Sequence, residues 1–302
     1  MPFYLGIDAG GTKTESAISN GAELLGQTTC ASCKASGVGE SEARHNLREA
    51  VVRVCEAARI KTQEIQRVCI GIAGASLPGT VEFVRSVIGE LAAAEVNVTG
   101  DHIIAHRAAF GTMAGVLVVA GTGSIVYGRN EKGETARAGG WGPMISDEGS
   151  ALWIGREAVA AALRVRDAGN NDGLLSTIAA YWQVTPEEVI RIGNACVQQR
   201  LSELAGPVNK AAEKGDAAAQ SVTDRAGKEL AALAEMVIAR LWPENVAVRV
   251  AMAGGVLQGS SLVRKAFHDA LQAAHSNATI SFAYVRPVMG ALAIAAEQRA
   301  LQ

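Results

Sequence analysis

The chain has 302 residues, 49% of them hydrophobic and 19% charged, with a formal net charge of −2. That length supports two modest domains, and the near-neutral balance without a basic run argues against nucleic acid or an acidic membrane as partner. No apolar run approaches the roughly 20 residues that span a bilayer, and the first residues lack a signal peptide's basic and apolar segments, so the expected setting is cytoplasmic. Cys30, Cys33, Cys55, Cys69 and Cys196 are an odd set, poorly suited to a disulfide framework. The C-x-x-C of Cys30 and Cys33 has no second pair to complete a four-thiolate metal site.

Residues 3–8 read as a buried strand, followed by the turn Ala9-Gly10-Gly11-Thr12. Strands at 14–19 and 23–30 come next, joined by the hairpin dipeptide Asn20-Gly21. Residues 41–58 have helical periodicity, with Leu47, Val51, Val54 and Ala58 on one face. Strand 68–72, helix 79–91, strand 96–99 and helix 101–110 follow. The order is three antiparallel strands and then strand–helix–strand–helix, which predicts a mixed sheet covered by helices.

The pattern then restarts. Residues 116–120, 124–130 and 135–138 again read as three strands, with tight turns at Gly121-Thr122-Gly123 and Glu131-Lys132-Gly133. A largely helical stretch runs from 149 to 241, then a strand at 246–252, a helix at 262–274, a strand at 280–282 and a helix at 288–300. Two similar units, each opening with a hairpin whose first turn is rich in Gly and Thr, predict a duplicated domain facing a cleft.

Both Gly-rich turns follow an apolar strand. Glycines let backbone N–H groups approach an anion, and Thr or Ser hydroxyls add donors. Taken singly, either turn could be only a hairpin. Neither is a Walker A loop, and neither is a dinucleotide fingerprint, because Ile125-Val126-Tyr127 continues as strand rather than opening a helix. A clip in each half, with an acid ending the first strand, is what a two-lobed phosphotransferase needs around a triphosphate.

Leu5-Gly6-Ile7-Asp8-Ala9-Gly10-Gly11-Thr12-Lys13-Thr14 resembles the first phosphate motif of the actin/hexokinase/Hsp70 superfamily, and Ala120-Gly121-Thr122-Gly123-Ser124 its second. Ala253-Gly254-Gly255-Val256 resembles the adenosine motif. The stretch from Gly139-Gly140-Trp141-Gly142 through Asp147-Glu148-Gly149-Ser150 is similar to the signature of the N-acetylglucosamine kinase branch of the BadF/BadG-type ATPase family. Arg286-Pro287-Val288-Met289-Gly290-Ala291 fits that family's closing helix. The resemblance implies an actin-like ATPase fold, α/β, with two ribonuclease H-like lobes. The expected domains are 1–112, completed by helix 287–302, and 113–286.

It also implies roles. Gly10, Gly11, Thr12, Lys13, Gly121, Thr122 and Gly123 would hold ATP phosphates, and Gly254 and Gly255 the adenosine. Asp8 would hold Mg²⁺ through water, as suits a cation that keeps part of its hydration shell. Asp101 aligns with the catalytic base, although an Asp after a strand is by itself an ordinary helix N-cap. The family commonly has Asn before this Asp; here Gly100 stands there, which bears on how the base is oriented. Asp101, Thr122, Gly140, Trp141 and Asp147 would contact the sugar, Asp147 through hydroxyls and Trp141 by its apolar face. For Asp147 and Glu148 the plainer reading is a helix cap and dipole. His102 and His106, four apart, are a possible metal pair, with packing the simpler reading.

The expected activity is phosphorylation of a hexosamine, N-acetylglucosamine or glucosamine, at O6, by a homodimer whose partners are only sugar and ATP. A partner-driving ATPase or a non-catalytic sugar sensor are the alternatives. The loop at 31–39 lacks the Asn with which related kinases touch sugar, so N-acetylmuramic acid and glucose also stay open.

Overall fold

The computed structural model describes residues 2–142, 144–170, 173–195, 198–242, 246–281 and 285–297. Pro143, Cys196, Phe282 and residues 298–302 lie outside the described residues. By internal packing the chain divides into two units, Met1–Met113 with Val285–Gln302, and Ala114–Tyr284.

The first unit opens with β1 (Phe3–Ala9), β2 (Lys13–Ser19) and β3 (Leu24–Ala31). Asn20 builds the second turn as its chemistry dictates: its side-chain oxygen accepts from the amides of Ala22 and Glu23, and Gly21 takes a φ of 94°. The chain continues through α1 (Ala35–Val38), α2 (Glu40–Ala58), a 3-10 turn (Thr62–Glu64), β4 (Ile65–Ile72), α3 (Thr80–Gly89), β5 (Glu95–Thr99) and α4 (Asp101–Phe110). The sheet order is β3-β2-β1-β4-β5, antiparallel across the first three strands and parallel from β1 to β5. One face is sealed by α2 and α3 through Leu47, Val51, Val54, Val84 and Ile88, packed on Leu5, Ile7 and Ile70. The short α1 and the 3-10 turn were read from sequence as loop, because single turns carry too little periodicity to show.

The other face belongs to α4 and the closing helix, Pro287–Ala296, which shares a core with Tyr4, Ala17, Cys69 and Ile104. This packing depends on absent side chains. A Cβ on Gly6 would sit 2.3 Å from the Leu292 amide nitrogen, and one on Gly290 would sit 1.9 Å from the Ile104 carbonyl oxygen. Backbones therefore touch on both sides of the closing helix.

The second unit repeats the plan. β6 (Gly115–Ala120), β7 (Ser124–Arg129) and β8 (Thr135–Gly139) lead into α5 (Ala151–Asp167), α6 (Gly173–Trp182), α7 (Pro186–Asn194), α8 (Gln198–Ser202), α9 (Ala205–Glu213) and α10 (Ala217–Leu241). Then come β9 (Arg249–Ala253), α11 (Gly255–Gly259), α12 (Ser261–Ala274) and β10 (Thr279–Ser281). The sheet order is β10-β9-β6-β7-β8, with the first three strands again antiparallel and β6, β9 and β10 parallel. The two sheets thus share one topology, and the recurrence seen in the sequence is a duplication of architecture. The units differ in what is inserted between their third and fourth strands. The expected strand at 246–252 begins only at Arg249, although Val248 is buried. The helical stretch is cut where chemistry cuts it: Thr185 caps α7 with Pro186 behind it, and Asp216 caps α10.

Gly6→Ala should destabilise the first unit by roughly 1–3 kcal/mol or more, since it overpacks a backbone-to-backbone contact that cannot relax. Urea unfolding with an unchanged midpoint would show that the closing helix can shift to accept a methyl group.

Candidate active site

The parallel half of the first sheet sets the site's first acids. Asp8 pairs across β1 and β4 with Gly71, and Gly71 pairs across β4 and β5 with Thr99, so the three lie in one row. Asp101 follows two residues beyond Thr99, as the first residue of α4. A Cβ on Gly71 would lie 2.3 Å from Cδ1 of Ile104, so that glycine lets α4 settle on the sheet and fixes where Asp101 begins. Two carboxylates therefore stand at the carboxyl ends of parallel strands, the edge where α/β folds bind ligands.

Asp101 does not cap its helix. The N-cap is Gly100, without a side-chain bond, and the Asp101 Oδ1 accepts instead from the backbone N–H of His102 at 2.9 Å. The His102 Nδ1 lies 3.4 Å from the same oxygen. Burial alone would push the Asp101 carboxyl up. The His102 hydrogen bonds and charge, with Lys34 adding its own, outweigh burial and hold it below the ordinary value. Asp101 is accordingly a carboxylate at neutral pH. Asp8 goes the other way: burial first, then the charges of Asp101 and Glu15, raise it to about 7 against the pull of Lys13.

The first phosphate turn is braced from behind. The Gly10 amide donates to the Lys13 carbonyl at 3.0 Å, closing the turn, and leaves Gly11, Thr12 and Lys13 exposed. Lys13 pairs with Glu15. The Ser32 hydroxyl donates to the Gly10 carbonyl at 2.8 Å, the Cys33 amide donates to the Thr14 hydroxyl at 3.1 Å, and the Asn46 side-chain amide donates to the Ser32 carbonyl at 2.8 Å. The loop after β3 is thus tied to the turn, and it brings Lys34 within electrostatic reach of Asp101. The sequence points to no Asn in that loop and gives no sign of Lys34. A lone lysine in a loop carries no pattern, and only the fold makes it a neighbour of the base.

The second unit has its own assembly. Gly121 donates to the Gly123 carbonyl at 2.9 Å, closing the second turn, and Thr122 is exposed. The amides of Ala151 and Leu152, at the start of α5, donate to the carbonyls of Gly121 and Thr122 at 2.9 and 3.3 Å. The Ser124 hydroxyl donates to the Glu148 carbonyl at 2.7 Å. The turn and the segment at 139–150 are therefore one structure. Asp147 is buried in the left-handed region at a φ of 67°, and a Cβ on Gly123 would lie 2.9 Å from its Oδ2. Neither Asp147 nor Glu148 is the N-cap of α5; Ser150 is, accepting from Trp153 at 3.2 Å. A buried non-glycine residue held at positive φ is strain of the kind found at functional sites.

Gly140 and Trp141 lie in the same segment. Trp141 is 62% exposed, but the Arg137 guanidinium sits 4.1 Å from its ring centroid, so one aromatic face is already taken. Gly254 has a φ of 93°, and a Cβ there would lie 2.3 Å from the Ala120 carbonyl oxygen, so the candidate adenosine motif abuts the strand that ends in the second turn. Gly255 starts α11 in open space. His102 and His106 diverge: His102 lies against Asp101, while His106 is buried with its ring 4.9 Å from Phe110. No group of three or more possible metal-ligating His, Cys, Asp or Glu side chains occurs among the described residues. Nor is any helix there long and apolar enough to cross a membrane.

A duplicated five-stranded mixed sheet with a Gly/Thr turn after the first strand of each unit defines the actin-like class of ATPase and sugar-kinase folds. The chain belongs to the BadF/BadG/BcrA/BcrD ATPase family, whose model matches residues 5–295. It is 30% identical over 279 residues to an N-acetylmuramic acid/N-acetylglucosamine kinase of Clostridium acetobutylicum, covering 90% of each chain. It is 27% identical over 311 residues to an N-acetyl-D-glucosamine kinase of Dictyostelium discoideum, covering 97% of each. Among solved structures, a Chromobacterium violaceum protein provisionally named an N-acetylglucosamine kinase shares the fold at a TM-score of 0.79 and 19% identity, over 98% of this chain and 99% of that one. A ROK family glucokinase from Streptomyces griseus, in complex with glucose and AMPPNP, shares it at 0.60 and 14%, over 97% and 99%.

Asp8 makes stability depend on pH. In the unfolded chain its carboxyl titrates near 3.8, in the folded protein at about 7. Between those values the folded state keeps a proton that the unfolded state has lost, so stability falls as pH rises through that window and levels off above it. Asp8→Asn should remove that component: without divalent cations the variant should exceed the parent in stability at pH 8 and match it near pH 4. Parallel urea-denaturation curves for parent and variant across this range would show that Asp8 titrates normally.

Proposed function

We propose that this chain is an ATP-dependent sugar kinase that phosphorylates a hexosamine, N-acetylglucosamine or glucosamine, at O6. The observation that carries the reading is Asp101: a carboxylate kept ionised by His102 and Lys34, at the same sheet edge as Asp8 and the first phosphate turn. The names of the two curated relatives support the substrate class. Asp101 takes the proton of the sugar hydroxyl as its oxygen attacks the γ-phosphorus, and the bond to the bridging oxygen breaks as ADP leaves. Positioning and electrostatic stabilisation supply most of the catalysis in such transfers. The turn Gly10, Gly11, Thr12 and Lys13 in one unit, and the turn Gly121, Thr122 and Gly123 in the other, hold phosphate oxygens: the Gly10 and Gly121 amides close the turns, and the residues after them offer amides, hydroxyls and an ammonium. Gly254 and Gly255 take the adenosine.

The residues present fit a Mg²⁺ ion. Asp8 is a hard oxygen donor whose buried charge, pressed by Asp101 and Glu15, a divalent cation would offset. Asp8 would hold the ion, directly or through water, and the ion would neutralise charge on the triphosphate. The proposal includes a cytoplasmic setting and a homodimeric state. In the second unit Thr122, Gly140, Trp141 and Asp147 contact the sugar, Asp147 accepting from its hydroxyls; in the first unit Asp101 does. With Arg137 on one face of Trp141, the ring offers the sugar or its acetyl group the opposite face.

Turnover measured by a coupled ADP assay on N-acetylglucosamine, glucosamine, N-acetylmuramic acid and glucose tests the reading. Asp101→Asn should lose roughly 10²–10⁴-fold in kcat while keeping ATP affinity, the usual share of a positioned base. No turnover on any sugar, or an Asp101→Asn variant within tenfold of the parent, overturns it.

Asp147→Asn keeps a side chain that tolerates the left-handed conformation but weakens charge-assisted bonds to sugar hydroxyls. The sugar KM should rise by about tenfold or more, with the ATP KM nearly unchanged. Normal sugar saturation with a lowered melting temperature would assign Asp147 a purely structural duty.

A further inference from the structure

The residues on either side of the candidate base are matched to each other. Gly100 is extended, at φ −68° and ψ 145°, a conformation any residue can adopt, so backbone geometry does not call for glycine there. Space does. A Cβ on Gly100 would lie 2.4 Å from Cε1, 2.8 Å from Nδ1 and 3.1 Å from Nε2 of His102. The imidazole therefore folds back over Gly100 rather than projecting along α4. In that position its Nδ1 stands 3.4 Å from the Asp101 Oδ1, the oxygen that also accepts the His102 amide at 2.9 Å. The ring is 17% exposed, so the arrangement is packed rather than solvated.

We propose that His102 is a positioning residue for phosphoryl transfer, its Nδ1–H holding Oδ1 of Asp101 so that Oδ2 is presented to the sugar hydroxyl. The inference rests on the reading of Asp101 as the base. Two donors from one residue, one backbone and one side chain, fix a single oxygen and leave the carboxylate little freedom to rotate. His102 keeps its own proton throughout; the hydroxyl proton goes to Oδ2. An acid at the first position of a helix has the free amides of that first turn within reach, and Oδ1 takes the one of His102. With no side chain at position 100, the ring of His102 has room to come against the same oxygen.

The experiment is steady-state kinetics with ATP and N-acetylglucosamine on a set of variants, each checked by circular dichroism and urea unfolding. His102→Ala should lower kcat about 10- to 100-fold, the scale of a misplaced reacting group, with both KM values within about twofold. His102→Asn, whose amide can put a donor near the place of Nδ1, should recover most of that loss. His102→Leu, which fills the space without a donor, should not. Gly100→Ala should evict the ring without altering it and reproduce the His102→Ala defect, and the double variant should be no worse than either single one. The proposal is overturned if His102→Ala stays within threefold of the parent, or if Leu restores kcat as well as Asn. It is also overturned if the two single defects multiply in the double variant. Loss of turnover in Asp101→Asn with normal His102→Ala would sink only the role of His102. A normal Asp101→Asn would sink the assignment of the base itself.

Discussion

Negative charge concentrated at the carboxyl ends of β1 and β5 is the constraint around which the first unit is arranged. Asp8 and Asp101 are placed on either side of β4 by the register of the parallel ladder, with Glu15 nearby, and burial strengthens their repulsion. Two like charges so placed cannot both be held at no cost, and the fold separates their behaviour. Asp101 receives His102 and the influence of Lys34 and stays ionised, while Asp8 is left to burial and its acidic neighbours and rises to about 7. Divergent environments for paired carboxyls are how one site obtains both a ready base and a group that welcomes a cation.

The second unit solves a different problem, that of holding glycine-rich backbone still. Glycine turns lose much entropy when ordered, so they need external bracing. The first turn of α5 spends its amides on the carbonyls of Gly121 and Thr122, and Ser124 clips the carbonyl of Glu148. Ser150, not Asp147 or Glu148, caps α5, and Asp147 stands against Gly123 at a φ of 67°. In the first unit the same bracing comes from side chains of the loop after β3 and from Asn46. The two turns are alike in sequence and differ in how they are tied.

Much of this architecture was legible in the sequence, because strands bounded by Gly turns and an amphipathic α2 leave strong periodic signals. The repeated hairpin at each unit's start made the duplication visible before the sheets did, and the start of α4 at Asp101 was readable from the strand before it. What could not be read were relations that exist only across the fold. Lys34 is unremarkable until β3 returns its loop to the first turn. His102 looked like half of a metal pair with His106, since spacing alone cannot tell that one ring folds back over Gly100 and the other packs on Phe110. Short elements such as α1 and α11 have too few residues for periodicity, and the start of β9 was misplaced because a buried Val248 reads as strand whether or not it is paired.

The shared topology of the two sheets also indicates where selectivity can vary without disturbing phosphate chemistry. In both units the Gly/Thr turn joins the first and second strands, inside the repeated core, where any change of register would move an entire strand. The segment with Gly140, Trp141 and Asp147 lies instead between the third and fourth strands of the second unit, in the insertion that the first unit answers with α1 and α2. That segment is tied to the second turn and β7 by the Ser124 hydroxyl on the Glu148 carbonyl and, just beyond it, by the amides of Ala151 and Leu152 on the turn's carbonyls. Trp141 shows the latitude: it is exposed, with Arg137 of β8 stacked on one face. Changes confined to that insertion leave the repeated strands and both Gly/Thr turns in register.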